Sequence, residues 1–124
     1  MTRRQALIAV IDDDPSVRES LPALLAEFGF ASRTFSSAEE FLTSSDFSPT
    51  DCLILDVTMP GISGPDLQRR LKTLRPGLPV IFITAQKDAR LRARLLHEGA
   101  VDCLLKPFSD VALLDALGAA LPDR

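Results

Sequence analysis

Four polar stretches stand at the ends of apolar runs. Asp12-Asp13-Asp14 follows Leu7-Ile8-Ala9-Val10-Ile11, and Asp56 follows Leu53-Ile54-Leu55. Thr84 follows Val80-Ile81-Phe82-Ile83, and Lys106 follows Val101-Asp102-Cys103-Leu104-Leu105. Asp14 before Pro15 reads as a helix cap, but local capping explains the other residues poorly. On adjacent strands, about 4.8 Å apart, these carboxylates would crowd one another. Like charges at about 4 Å repel by roughly 4 kcal/mol at an effective dielectric near 20. A divalent cation held by oxygen ligands would relieve that repulsion, and hard carboxylates suit Mg²⁺. With an ammonium and a hydroxyl beside it, such a carboxylate is suited to accept a phosphoryl group.

That chemistry requires the runs to be neighbouring strands with a common edge. Runs apolar on every side are strands buried on both faces of a parallel sheet. Ala31-Ser32-Arg33-Thr34-Phe35 mixes polar and apolar residues, and the last run carries Asp102, so both read as edge strands. Helical spacing follows each strand: Val17, Leu21, Leu24, Leu25 and Phe28; a short capped helix from Ser37 to about Thr43; Gly64 to Leu74; about Ala89 to Glu98; and Asp110 to about Ala120. Pro22 interrupts the first helical pattern, and the spacing predicts that this helix survives with a kink between Arg18 and Pro22. Alternating strands and helices imply an α/β fold with helices on both faces of the sheet. The order 2-1-3-4-5 keeps strands one, three and four inside. Its switch point then brings the Asp12–Asp14 cluster to Asp56, at the carboxyl edge where ligands collect in such sheets.

The 124 residues suit one domain, 1–124, with its own core. The net charge of −3 disfavours direct nucleic-acid binding by this domain. No apolar run is long enough to span a bilayer. The run after Arg3-Arg4 ends at Asp12, too early for a signal-peptide core, and reads as a strand. Cys52 and Cys103 lie in apolar strands and read as buried, reduced thiols of a cytoplasmic protein.

The motifs together resemble a response-regulator receiver domain of two-component signalling, most similar to FixJ-type receivers. They are Val10-Ile11-Asp12-Asp13-Asp14, Leu55-Asp56-Val57-Thr58-Met59-Pro60-Gly61-Ile62-Ser63-Gly64, Val80-Ile81-Phe82-Ile83-Thr84-Ala85, and Gly99-Ala100-Val101-Asp102 with Leu105-Lys106-Pro107-Phe108. The resemblance implies a single flavodoxin-like (βα)5 domain. It implies phosphoryl acceptance by Asp56 from a sensor histidine kinase. Mg²⁺ would be held by Asp13, Asp56 and the backbone carbonyl of Thr58, with Asp12 acting through water. Thr84 would hydrogen-bond the phosphoryl oxygens and Lys106 would pair with the phosphate. The resemblance also implies a cis Lys106–Pro107 peptide and a domain that is no enzyme beyond catalysing its own phosphorylation and dephosphorylation. Its partners would be the kinase, a second copy through the helix 4/strand 5 face, and a C-terminal DNA-binding domain absent from this chain, serving transcriptional control.

Where the family usually has Tyr or Phe, three residues before the lysine, this chain has Cys103. Coupling is therefore expected to run through the Thr84–Ala89 loop and the fourth helix. Arg90, Arg92 and Arg94 read as a solvated face or, by resemblance, part of a dimer surface that pairs with a partner's Asp102. His97 reads as a helix-end residue. Three rivals remain in view. A haloacid-dehalogenase-type phosphatase would need an acid where Thr58 stands. A flavin-binding module would need a phosphate loop where three aspartates stand. A pseudo-receiver used only for protein contacts would not need a complete site.

Overall fold

The computed structural model describes residues 5–122; the domain limits at residues 1 and 124, and the Arg3-Arg4 pair, lie outside them. The elements are β1 (Leu7–Ile11), α1 (Pro15–Glu27), β2 (Ala31–Phe35), α2 (Ala38–Leu42), β3 (Cys52–Asp56), α3 (Gly64–Leu74), β4 (Val80–Thr84), α4 (Ala89–His97), β5 (Asp102–Leu105) and α5 (Asp110–Ala120). The five strands are parallel, in the order β2-β1-β3-β4-β5.

Alternation along each strand divides the core in two. Ala9, Ile11, Leu53, Leu55, Phe82 and Cys103 face one side, where they meet Phe41 of α2, Leu67 and Leu71 of α3, and Leu91 and Leu95 of α4. Ile8, Val10, Ile54, Ile81, Ile83 and Leu104 face the other, against Leu21 and Leu25 of α1 and Leu113, Ala116 and Leu117 of α5. The central strands β3 and β4 are buried at every position, as their unbroken apolar runs require. Side-chain oxygens cap the helices: Asp14 accepts from the Ser16 N–H, Ser37 from Glu40, Ser63 from Asp66, Asp88 from Arg90 and Leu91, and Ser109 from Ala112. Helix α1 continues through Pro22, in keeping with the expected survival of that helix. The Lys106–Pro107 peptide is cis.

Gly64, the first residue of α3, is where the helix comes closest to the strand end. Its N–H donates to the Val57 carbonyl at 3.1 Å. A Cβ built there would fall on the backbone carbonyl oxygen of Asp56 and lie 3.0 Å from the Phe82 ring. Gly64→Ala should therefore push α3 away from the turn after β3 and lower stability by about 2 kcal/mol. Gly118, inside α5 with nothing near its missing Cβ, should respond oppositely, Gly118→Ala adding about 0.5–1 kcal/mol through helix propensity. Urea melts of the two variants check both signs.

Candidate functional site

Backbone bonds hold the carboxyl ends of the strands in register. Asp12 N–H donates to the Phe35 carbonyl at 3.1 Å, Val57 N–H to Ile83 at 3.1 Å, and Lys106 N–H to Thr84 at 2.7 Å. These bonds bring Asp12, Asp56, Thr84 and Lys106 to one edge of the sheet, although Asp12 and Lys106 are far apart in the chain.

Asp12 is fully buried, and Asp56 and Thr84 nearly so. Carboxylate oxygens of Asp12, Asp13 and Asp56 lie within 4.8 Å of one another, with Asp13 exposed at the mouth. Lys106 Nζ donates to Asp12 Oδ2 at 2.8 Å and stands 3.7 Å from Asp56 Oδ1. The other Asp12 oxygen accepts the Asp14 N–H at 2.9 Å. Thr84 Oγ1 accepts the Gln86 N–H at 3.0 Å, which ties the loop after β4 to the site. Thr58 lies exposed two residues past Asp56, near enough for its backbone to favour the charged Asp56 carboxylate.

The charges are unbalanced, with three carboxylates facing one ammonium. Burial, then the Asp12 charge, pushes the Asp56 carboxyl up to about 7; Lys106 and the Thr58 N–H act against that rise. Burial works to lower Lys106, but its hydrogen bond to Asp12 and the charges of Asp56, Asp12 and Asp14 outweigh it, so the ammonium is held above its usual range. The donor set suits a small hard cation. Octahedral coordination at about 2.1 Å puts neighbouring oxygens about 3.0 Å apart, so the three carboxylates would draw in around a bound ion. The donor chemistry and the unmet negative charge therefore fit a divalent metal on Asp12, Asp13 and Asp56.

Two supporting residues escaped the sequence reading. Arg18 Nη1 donates to the Asp12 carbonyl at 2.8 Å, bracing the end of β1 from the first turn of α1. Its position one turn past the Asp14 cap was the available signal. Gly64 is the other, and a glycine opening an amphipathic helix was its signal. Arg92, assigned above to a surface, donates to Asp102 Oδ1 at 2.8 Å and to the Cys103 carbonyl at 3.3 Å within the same chain. An intermolecular pair with a partner's Asp102 would have to break this one. Cys52 and Cys103 are buried and unbridged, as expected. Burial, then the Asp51 charge, pushes the Cys52 thiol up to about 12; burial also raises Cys103. His97 is the exposed last residue of α4.

Residues 8–118 match the family model described as the response regulator receiver domain. The chain is 43% identical over 121 residues to the response regulator protein TodT of Pseudomonas putida, covering 98% of this chain and 53% of that protein. It is 40% identical to the transcriptional regulatory protein FixJ of Azorhizobium caulinodans, over 92% of this chain and 54% of that protein. A solved structure of the response regulator StyR superposes with a TM-score of 0.85 at 42% identity, covering 96% of this chain and 60% of that one. The chain thus spans about half the length of the curated relatives it matches. Among the described residues, no helix is long and apolar enough to cross a membrane.

Proposed function

Because this chain belongs to the response regulator receiver domain family, we propose that Asp56 is its phosphoacceptor and residues 1–124 one phosphorelay receiver. The observation that carries the reading is the meeting of Asp12, Asp13, Asp56 and Lys106 at one sheet edge. In the transfer, an Asp56 carboxylate oxygen attacks the phosphorus of a kinase phosphohistidine. The P–N bond breaks, an acyl phosphate P–O bond forms, and the leaving imidazole takes up a proton. Lys106, already 3.7 Å from Asp56, pairs with the new negative charge, and the buried Thr84 hydroxyl donates to a phosphoryl oxygen. Mg²⁺ on Asp12, Asp13, Asp56 and the Thr58 carbonyl would neutralise charge on the transferred oxygens. Water attack on phosphorus later breaks the P–O bond and restores the carboxylate.

The readout is assigned to the loop after β4, to α4 and to β5. Thr84 reaches the loop through Gln86, and Leu105 of β5 leaves an apolar side chain exposed there. A second copy docking on that face, a sensor histidine kinase as phosphodonor, a C-terminal DNA-binding domain for transcriptional control and a cytoplasmic location complete the proposal. Incubation with acetyl phosphate, with and without Mg²⁺, followed by intact mass and peptide mapping, tests it. One phosphoryl adduct on Asp56 that depends on Mg²⁺ is the expected result. An adduct on another residue, or none, overturns it.

A further inference from the structure

On the α4 side of the sheet, directly behind Thr84, lies a cavity of about 200 Å³. Cys103 and Leu105 of β5, Leu91 and Arg92 of α4, Thr84 and the loop from Gln86 to Ala89 line it, and one side opens to solvent. Its origin is steric. Phe82 pairs with Cys103 and Thr84 with Leu105 across β4 and β5, so these four side chains share one face. Cys103 is the smallest, and a short thiol cannot fill the gap between β5 and α4. Arg92 cannot swing in to fill it, because its guanidinium is committed to Asp102 and the Cys103 carbonyl. Most of the exposed lining is carbon. Burial keeps the Cys103 thiol above its ordinary range, so it presents a neutral wall.

One polar group offers a directional contact. Thr84 is 5% exposed, and its oxygen accepts from Gln86, but its hydroxyl proton has no acceptor among the described residues. An apolar cavity of about 150 Å³ is large enough to take benzene. We propose that this cavity is a regulatory ligand site for a small single-ring aromatic molecule whose acceptor oxygen takes the Thr84 hydroxyl proton. The ring lies against Leu91, Cys103 and Leu105. The ligand oxygen and the phosphoryl group then compete for the same proton. By linkage, ligand binding and Asp56 phosphorylation oppose each other. This second half rests on the function proposed above; the binding half does not.

Acetophenone is the probe, with benzene as the ring lacking an acceptor. Two-dimensional amide NMR of the wild-type protein, without Mg²⁺ or phosphodonor, should show saturable acetophenone shifts centred on Thr84, Leu91 and Cys103. Cys103→Phe, which fills the cavity, should weaken binding at least about tenfold, whereas Cys103→Ala, which leaves it open, should retain it. Benzene should bind more weakly than acetophenone in the wild type and equally well in Thr84→Val. Spectral dispersion establishes that each variant is folded, and Cys103→Leu replaces Cys103→Phe if the latter is not. No saturable shift at low-millimolar probe, or unchanged affinity in the filled variant, overturns the site. Saturating acetophenone should also lower the acetyl phosphate-labelled fraction of wild type at least about twofold, and unchanged labelling overturns the regulatory half. Labelling without the probe reports on the phosphoacceptor alone, so failure of the two readings is distinguishable.

Discussion

Asp56→Asn is expected to lose all phosphoryl labelling and, in the same protein, to gain stability. The loss follows because an amide oxygen is a far poorer nucleophile than a carboxylate, and its phosphoryl adduct would not persist. The gain follows from the electrostatics. Asp56 is 6% exposed, and burial followed by the Asp12 charge lifts its carboxyl from an ordinary 3.8 to about 7. At low pH the group is protonated in the folded and unfolded chains alike, so it affects stability little. Between the two values the folded state holds a proton that the unfolded state has released. Stability therefore falls as pH rises through that window, by about 1.4 kcal/mol for each whole step in pH. Above about 7 the penalty is complete. Asparagine removes it at similar volume, and a net gain of about 2 kcal/mol at pH near 8 is expected after relaxation of the site. Without Mg²⁺, the variant should melt about 5–10 °C above wild type near pH 8, with the difference shrinking towards pH 4.5. Added Mg²⁺ should raise the wild-type midpoint and close part of the gap, because the cation relieves the same repulsion. A variant no more stable than wild type near pH 8 would show that the acid cluster carries no unmet charge.

The residues involved show which parts of this argument were legible in the sequence. Val80-Ile81-Phe82-Ile83 and Leu53-Ile54-Leu55 announce central strands because burial on both faces leaves no polar position to obscure the period. Their polar terminal residues announce the shared edge for the same reason. Edge elements were read less sharply. Helix α2 ends at Leu42 rather than about Thr43, and β5 begins at Asp102 rather than Val101, because end residues are held by few contacts. Which partner each side chain reaches within that edge was not legible. Whether Lys106 contacts Asp12 or Asp56 depends on strand register and side-chain direction, and it lies nearer Asp12 by about 1 Å. The bond from Arg18 to the Asp12 carbonyl and the internal Arg92–Asp102 pair are likewise products of packing. So is the cavity at Cys103, since a small residue leaves a void only when its neighbours fail to close over it.

Lys106→Met should be the costliest single change at this edge and should depend on Asp12. Methionine approximates the length and apolar stem of lysine and deletes only the ammonium. Asp12, 0% exposed, would keep the Asp14 N–H on one oxygen and lose its 2.8 Å ammonium from the other. Removing one partner of a buried pair leaves a charge that neither water nor protein solvates, at a cost of about 3–5 kcal/mol. Lys106 is itself 20% exposed, so water will enter and about 2–3 kcal/mol is the expected loss. In an Asp12→Asn background the same substitution should cost clearly less, because the buried carboxylate in direct 2.8 Å contact with the ammonium is gone and only Asp56, at 3.7 Å, still faces its loss. Urea denaturation of the four proteins in this cycle, without Mg²⁺, measures the coupling. Equal costs in both backgrounds would mean that the ammonium does not act through Asp12. A cost confined to the Asp12 background would locate its work in the charge, which is the property that an incoming phosphoryl group would use.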